Sequence, residues 1–267
     1  MTASPRTARC VATFSGNTYT YDALRRLTEV DYSAGKTLFT YDPFGRRVKK
    51  VDLNTGGTVL ATYQYHYDGS AVAVEYRPSS VTWTYYGGVL RTDGTNNQYY
   101  CRDGQGSVSA VADNSGNVLE AYEYTAQGQF QITNGSGTVL TSTGIGNDCM
   151  YANYRYDAET GNYFCNARYY NPTLGRFISR DPLGDAEFSQ GTNLYAYCGN
   201  DCANATDSSG KGWEHNYGDP QCNITWWDGG ATTTPSATIS STGPNSLIPV
   251  KELNRDFPFE LLSMRSY

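Results

Sequence analysis

The chain is poor in the residues from which most enzyme sites are built. Of its 267 residues only two are histidines, His66 and His215, and only three are methionines. Ser107 and Ser179 have no histidine nearby, so no Ser-His-Asp grouping is readable. No segment approaches the roughly 18 consecutive apolar residues of a membrane span. Met1 to Cys10 lacks the apolar stretch of a signal peptide, which leaves the compartment open. The clustered basic face of a nucleic-acid binder is also missing: the net charge is −6. The densest basic run, Arg46-Arg47-Val48-Lys49-Lys50, reads as a solvated strand face. Seven cysteines are scattered along the chain, too sparse and odd in number for a compact disulfide framework. Cys198 and Cys202 are four apart, but no second pair completes a zinc set. Gly175 and Gly184 read as turn glycines, since no strand–loop–helix context makes them a phosphate loop. Neither a metal, a cofactor nor a nucleic-acid partner is expected.

What the chain has in abundance is tyrosine, 24 residues, and glycine, 28. Aromatic residues suit a half-buried pleated surface, and glycine, asparagine and aspartate supply tight corners. Repetition follows. Tyr19-Thr20-Tyr21-Asp22 returns as Phe39-Thr40-Tyr41-Asp42, as Tyr65-His66-Tyr67-Asp68, as Tyr122-Glu123-Tyr124-Thr125 and as Tyr154-Arg155-Tyr156-Asp157. Asp22 and Asp42 are 20 residues apart and the next step is 26, so the period is loose. Aromatic–polar–aromatic is a strand with one buried face. The aspartate caps its own backbone in an Asx-type turn, and a basic residue with an aliphatic opens the return strand, as in Arg25-Arg26-Leu27 and Arg46-Arg47-Val48. Each unit is therefore a β-hairpin, and the same grammar continues through Asp103 to Val111 and Asp113 to Glu120. No long helical period precedes residue 180, although short helices fit around Asn193 to Tyr197. The tyrosine-rich faces could stack on carbohydrate, but core packing explains them more simply, and His66 is expected to face solvent.

Past Gly210 the composition turns to Ser/Thr/Pro/Gly runs such as Thr232-Thr233-Thr234-Pro235, which read as loosely ordered chain. A last apolar stretch, Val250 to Met264, could hold one short helix. The expected organisation is an N-terminal lead-in at 1–16, a β-sheet of repeats at 17–150, a distinct segment at 151–210 and a variable tail at 211–267.

The repeats resemble the YD repeats of Rhs proteins, of the C components of insecticidal toxin complexes and of teneurins. A more specific likeness lies in Ala167-Arg168-Tyr169-Tyr170-Asn171-Pro172-Thr173-Leu174-Gly175-Arg176-Phe177-Ile178-Ser179-Arg180-Asp181-Pro182, followed by Asn193-Leu194-Tyr195-Ala196-Tyr197 and Asp207-Ser208-Ser209-Gly210. This is similar to the Rhs-repeat-associated core, and the resemblance covers residues 17 to 210. It implies an all-β fold: stacked antiparallel YD-repeat hairpins in a spiralling sheet, a partial Rhs shell, ending in a core that closes the shell as a plug. Stacking is physically apt, because a hairpin buries its apolar face only against neighbours, and closure protects the edges. The handful of repeats here could not enclose a cavity alone. An upstream YD-repeat chain, or an N-terminal part of a longer gene product, is thus the expected partner.

The resemblance also implies self-cleavage just after the core, by an arginine and two aspartates whose matching positions are Arg168, Asp181 and Asp207, freeing a tail that begins near Lys211 or Gly212. The alternative for these residues is a buried ion-pair and turn network. The family's D-P-x-G-L is here Asp207-Ser208-Ser209-Gly210-Lys211, and loss of the proline and leucine loosens the scissile segment. At most, then, the chain is an intramolecular protease, not a metabolic enzyme. Two other readings remain open: a polymorphic toxin whose effector is the tail at 211–267, or a surface module binding carbohydrate or protein in a secreted or cell-surface system.

Overall fold

The computed structural model describes residues 10–14, 16–183 and 192–215. The expected helix at Val250 to Met264, and most of the tail, lie outside the described residues. Fourteen strands from Cys10–Phe14 to Val139–Leu140 form one sheet in which every strand pairs antiparallel with its neighbours in sequence. Four short strands, Arg155–Asp157, Asn162–Cys165, Arg168–Asn171 and Arg176–Phe177, form a second sheet, and Ala205–Thr206 pairs with Glu214–His215 in a third. The fold is the stacked hairpin array expected from the repeats. Where short helices were expected around Asn193 to Tyr197, the backbone instead makes turns, with Ala196 bridged to Arg176 and a single 3-10 turn at Cys198–Asn200.

The hairpin corners work as the aspartates suggest. Asp22 Oδ1 accepts the amides of Leu24 and Arg26, each at 2.9 Å. Asp42 Oδ1 does the same for Phe44 and Arg46, again at 2.9 Å. The arginine four residues on from each aspartate has a second task. Arg26 Nη1 donates to the Asp42 carbonyl at 3.2 Å, and Arg46 Nη1 to the Gly69 carbonyl at 2.6 Å. Their guanidinium groups lie over the rings of Tyr41 and Tyr67, 5.1 and 5.0 Å from the centroids. The arginines of these two units thus tie one hairpin to the next.

Return strands open with a β-bulge, and the bulge decides which side chains point inward. Tyr21 pairs with Leu27 but Thr20 with Glu29; Tyr41 pairs with Arg47 but Thr40 with Lys49; Tyr67 pairs with Val72 but His66 with Val74. The extra residue shifts the alternation, so residues three apart share the inner face: Leu27 with Val30, Arg47 with Lys50. This overturns the reading of Arg46 to Lys50 as a solvated face. Arg47 is wholly buried and Lys50 is 7% exposed, while Lys49 alone of the run is exposed.

Two apolar clusters join the large sheet to the chain that follows it. Tyr19, Tyr21, Leu27, Val30 and Phe39 pack with Phe164 and Tyr169. Tyr100, Val108, Val111, Tyr122 and Ile132 pack with Tyr151, Tyr154, Tyr163, Tyr170, Phe177 and Tyr197. Asn162–Cys165 and Arg168–Asn171 are buried at every residue, and eleven of the described tyrosines are buried in the core. His66 is exposed on its strand, edge-on to Tyr76. At one end of the sheet all five residues of Cys10–Phe14 are exposed. Among the described residues no helix is long and apolar enough to cross a membrane.

Candidate functional site

Arg168 begins a fully buried strand, paired to Cys165 across a turn. Asp181 is fixed by its amide, which donates to the Leu194 carbonyl at 3.0 Å. Asp207 follows the strand Ala205–Thr206, and its amide donates to the Tyr154 hydroxyl at 2.9 Å. The three side chains converge on one nitrogen: Arg168 Nη2 lies 3.0 Å from Asp181 Oδ2 and 2.9 Å from Asp207 Oδ2. All three residues are at most 2% exposed. One guanidinium facing two carboxylates in such burial is costly unless every polar atom is engaged, and here they are. Arg168 Nε donates to the Gly210 carbonyl at 2.6 Å and Nη1 to the Leu194 carbonyl at 3.4 Å, while the guanidinium stacks 3.6 Å from the Phe177 ring centroid. Asp181 Oδ1 accepts the Leu183 amide at 2.8 Å.

The other oxygen of Asp207 faces the start of the tail. Its Oδ1 accepts the amides of Lys211 at 3.1 Å and Gly212 at 3.2 Å. Ser209 braces the same turn: its hydroxyl donates to Asp207 Oδ1 at 3.3 Å and accepts the Lys211 amide at 3.1 Å. Both peptide bonds flanking Lys211 are thereby held beside a carboxylate, with the Gly210 carbonyl on a guanidinium. Next to Arg168 and Asp181 is a cavity of about 10 Å³, lined also by Leu194, Ala196, Gly199 and Trp213, which is room for about one water.

A second polar system was not foreseen from sequence. On the inner face of the large sheet, Arg47 Nη1 is bonded to Asp157 Oδ2, and Lys50 Nζ reaches Glu159 at 2.7 Å and Asp157 at 3.4 Å. Glu75 and Asp148 are both bridged by Arg77 and by Arg155. Glu120 accepts from Tyr122, Thr143, Gly144 and Ile145. These groups lie at the boundary between the sheet and residues 143–159, where a cavity of about 310 Å³ is lined by Lys50, Arg77, Asp148 and Glu159 among aromatic rings. The periodicity of aromatics carries no trace of them.

Their charges set the pH response. Burial, then the neighbouring Asp157 carboxylate, pushes Glu159 up to about 7, because the Lys50 ammonium is divided among several acids. Burial acts the same way on Asp148, but the guanidinium groups of Arg155 and Arg77 outweigh it and hold its carboxyl well below the usual range. A carboxyl raised in the folded state favours folding when protonated, so stability falls as pH rises from about 4.5 to about 7. A depressed carboxyl has the opposite sign, and its contribution is lost as pH drops below about 4. The melting temperature is therefore expected to peak between these limits. Scanning calorimetry across pH 4 to 8 on the wild type and on Glu159→Gln checks this: the variant should lose the decline toward neutrality, and an unchanged decline would count against it.

Comparison with known proteins agrees with this architecture. The chain matches the teneurin YD-shell family over residues 10–203. It is 35% identical over 205 residues to the tRNA3(Ser)-specific nuclease WapA of Bacillus spizizenii, covering 72% of this chain and 8% of that protein. It is 28% identical over 213 residues to double-stranded DNA deaminase toxin A of Burkholderia cenocepacia, covering 68% of this chain and 14% of that protein. Among solved structures, TcdB2-TccC3 without its hypervariable C-terminal region aligns with a TM-score of 0.57 at 20% identity, over 74% of this chain and 10% of that one. The chain thus spans only a small part of the length of each.

Proposed function

Since the chain belongs to the teneurin YD-shell family of Rhs-type repeat proteins, we propose that it is the end-closing segment of a YD shell and that its core hydrolyses its own backbone beside Lys211. The observation that carries the second part is the Gly210–Lys211–Gly212 backbone lying between Arg168 and Asp207, with a water-sized cavity at Asp181.

The shell role follows from burial. One face of the large sheet is covered by the segment that follows it, while among the described residues the strand Cys10–Phe14 pairs on one side only and forms an open edge. An open edge is a template for another strand, and further YD hairpins placed upstream would satisfy it. The partner is thus a preceding run of the same repeats.

For hydrolysis, a water beside Asp181 gives that carboxylate a proton as its oxygen bonds to the carbonyl carbon. Arg168 stabilises the charge that develops on the oxygens around it. The carbon–nitrogen bond then breaks, and the proton taken up by Asp181 passes to the departing nitrogen, which the Asp207 carboxylate holds through Oδ1. One water is consumed, a new carboxyl and a new amino terminus form, and both aspartates end as carboxylates. Incubating the purified protein and recording intact masses tests this. Two fragments whose masses add to the parent plus one water are expected, with Asp181→Asn and Asp207→Asn slowed about a hundredfold or more. Only the full-length mass in the wild type after days of incubation, or equal cutting in both variants, would sink it.

The names of the relatives support a second reading for residues 211–267. Those proteins are a tRNA nuclease and a DNA deaminase toxin, and the tail here would be the corresponding effector. Expressing residues 211–267 alone in cells separates the readings, since growth arrest is expected only of an effector.

A further inference from the structure

The strongest feature outside this chemistry lies on the far side of the cut. Trp213 is half-buried and packs against the cluster that contains Tyr170 and Tyr197. Its ring rests on Gly199: a Cβ at that position would sit 3.3 Å from Trp213 Cζ2 and 3.6 Å from Cε2. With φ at +60°, Gly199 serves both the turn and the bare surface on which the indole lies. Trp213 also walls the cavity next to Arg168 and Asp181. Directly after it, Glu214 and His215 pair with Thr206 and Ala205.

None of these contacts runs through the peptide bonds at Lys211, so hydrolysis there leaves all of them standing. It adds one. Whichever of the two bonds is cut, the new α-amino group is the nitrogen of Lys211 or of Gly212, and each already lies within 3.2 Å of Asp207 Oδ1. A neutral amide donor becomes an ammonium on the same carboxylate, and such charge-assisted contacts are shorter and stronger.

We infer that the core is a binding site for a peptide amino terminus: it keeps the segment Gly212–His215 of its own cut tail, with the terminal ammonium on Asp207, the Trp213 indole on Gly199 and the backbone paired to Ala205–Thr206. This rests on the hydrolysis proposed above, and it separates cutting from release. Trp213 is then the residue that selects the segment, an aromatic one or two positions behind a free amino group. Release requires a disturbance of the core, not the chemical step.

A tail carrying a C-terminal affinity tag tests this on the full chain after processing is complete. The cut core is expected to co-purify with the tagged tail. Trp213→Ala should release it at least about tenfold faster, and Trp213→Phe should restore part of the retention. A synthetic peptide of residues 212–219 should displace the tail, and its N-acetylated form should do so about tenfold less well, the measure of the ammonium–Asp207 pair. Separate elution of core and tail in the wild type, or retention unaffected by Trp213→Ala, overturns the inference. Should the wild type not cut at all, amide exchange at Glu214 and His215 in the intact chain still decides the anchor: Trp213→Ala should speed it at least about tenfold, and unchanged exchange would reject the site independently of the chemistry.

Discussion

Replacing Arg47 by methionine is expected to destabilise the protein by about 3–5 kcal/mol, a fall of roughly 10 °C in melting temperature. Arg47 is wholly buried on the inner face of the sheet. Its guanidinium is bonded to Asp157 and donates to the Tyr169 hydroxyl at 3.1 Å. It is ringed by Phe164, Phe39 and Tyr65, with centroids at 4.3, 5.4 and 5.3 Å. Methionine can fill much of the volume, so packing is not the main loss. The loss is electrostatic: Asp157, 2% exposed, would keep only Lys50 as a cation, and at 3.4 Å. Leaving a buried charge undercompensated costs far more than the pair itself contributes. Asp157→Asn should cost a similar amount, and the double variant less than the two singles together. Urea unfolding of the three variants measures this. A loss below about 1 kcal/mol for Arg47→Met would reduce the network to an incidental one.

The second large effect is expected at Gly210. Its φ is +68°, and a Cβ there would lie 2.1 Å from the Cys165 carbonyl oxygen and 2.9 Å from the Arg168 nitrogen. Both obstacles are backbone of the second sheet, so neither can swing aside. Gly210→Ala must therefore displace the turn that begins at Asp207, and with it the carbonyl on Arg168 Nε. Cutting should fall by about a hundredfold, since misplacement of about 1 Å is enough for that. Gly45 provides the control. Its φ is +86° but no atom lies within 4 Å of a Cβ there, so Gly45→Ala should show backbone strain of about 1–3 kcal/mol and leave cutting unaffected. Equal cutting by the Gly210 variant and the wild type would show that the turn does not position the bond.

The contrast between these two sites marks where the amino-acid pattern is readable. The hairpins are legible because their causes are local: an aspartate closing its own turn, and aromatics alternating along a strand. Arg168, Asp181 and Asp207 are brought together as a motif reading would group them, because that motif records a spatial constellation that periodicity alone cannot. Arg47 and Lys50 were misread for two reasons. A bulge after the turn shifts the inward phase by one residue, and the acids that make burial tolerable lie over a hundred positions further on. A separation of 80 positions hides Arg155 and Glu75 in the same way. Trp213 is not legible as an anchor in the sequence because its partner, Gly199, is recognisable only by the absence of a side chain.

The most direct test of the account is hydrolysis in heavy-oxygen water, followed by mass spectrometry of the core fragment. A new carboxyl terminus at Gly210 or Lys211 carrying one heavy oxygen, absent in Asp181→Asn, is the expected result. An intact chain without label after prolonged incubation would show that Arg168 and its two aspartates only hold the end of the sheet together.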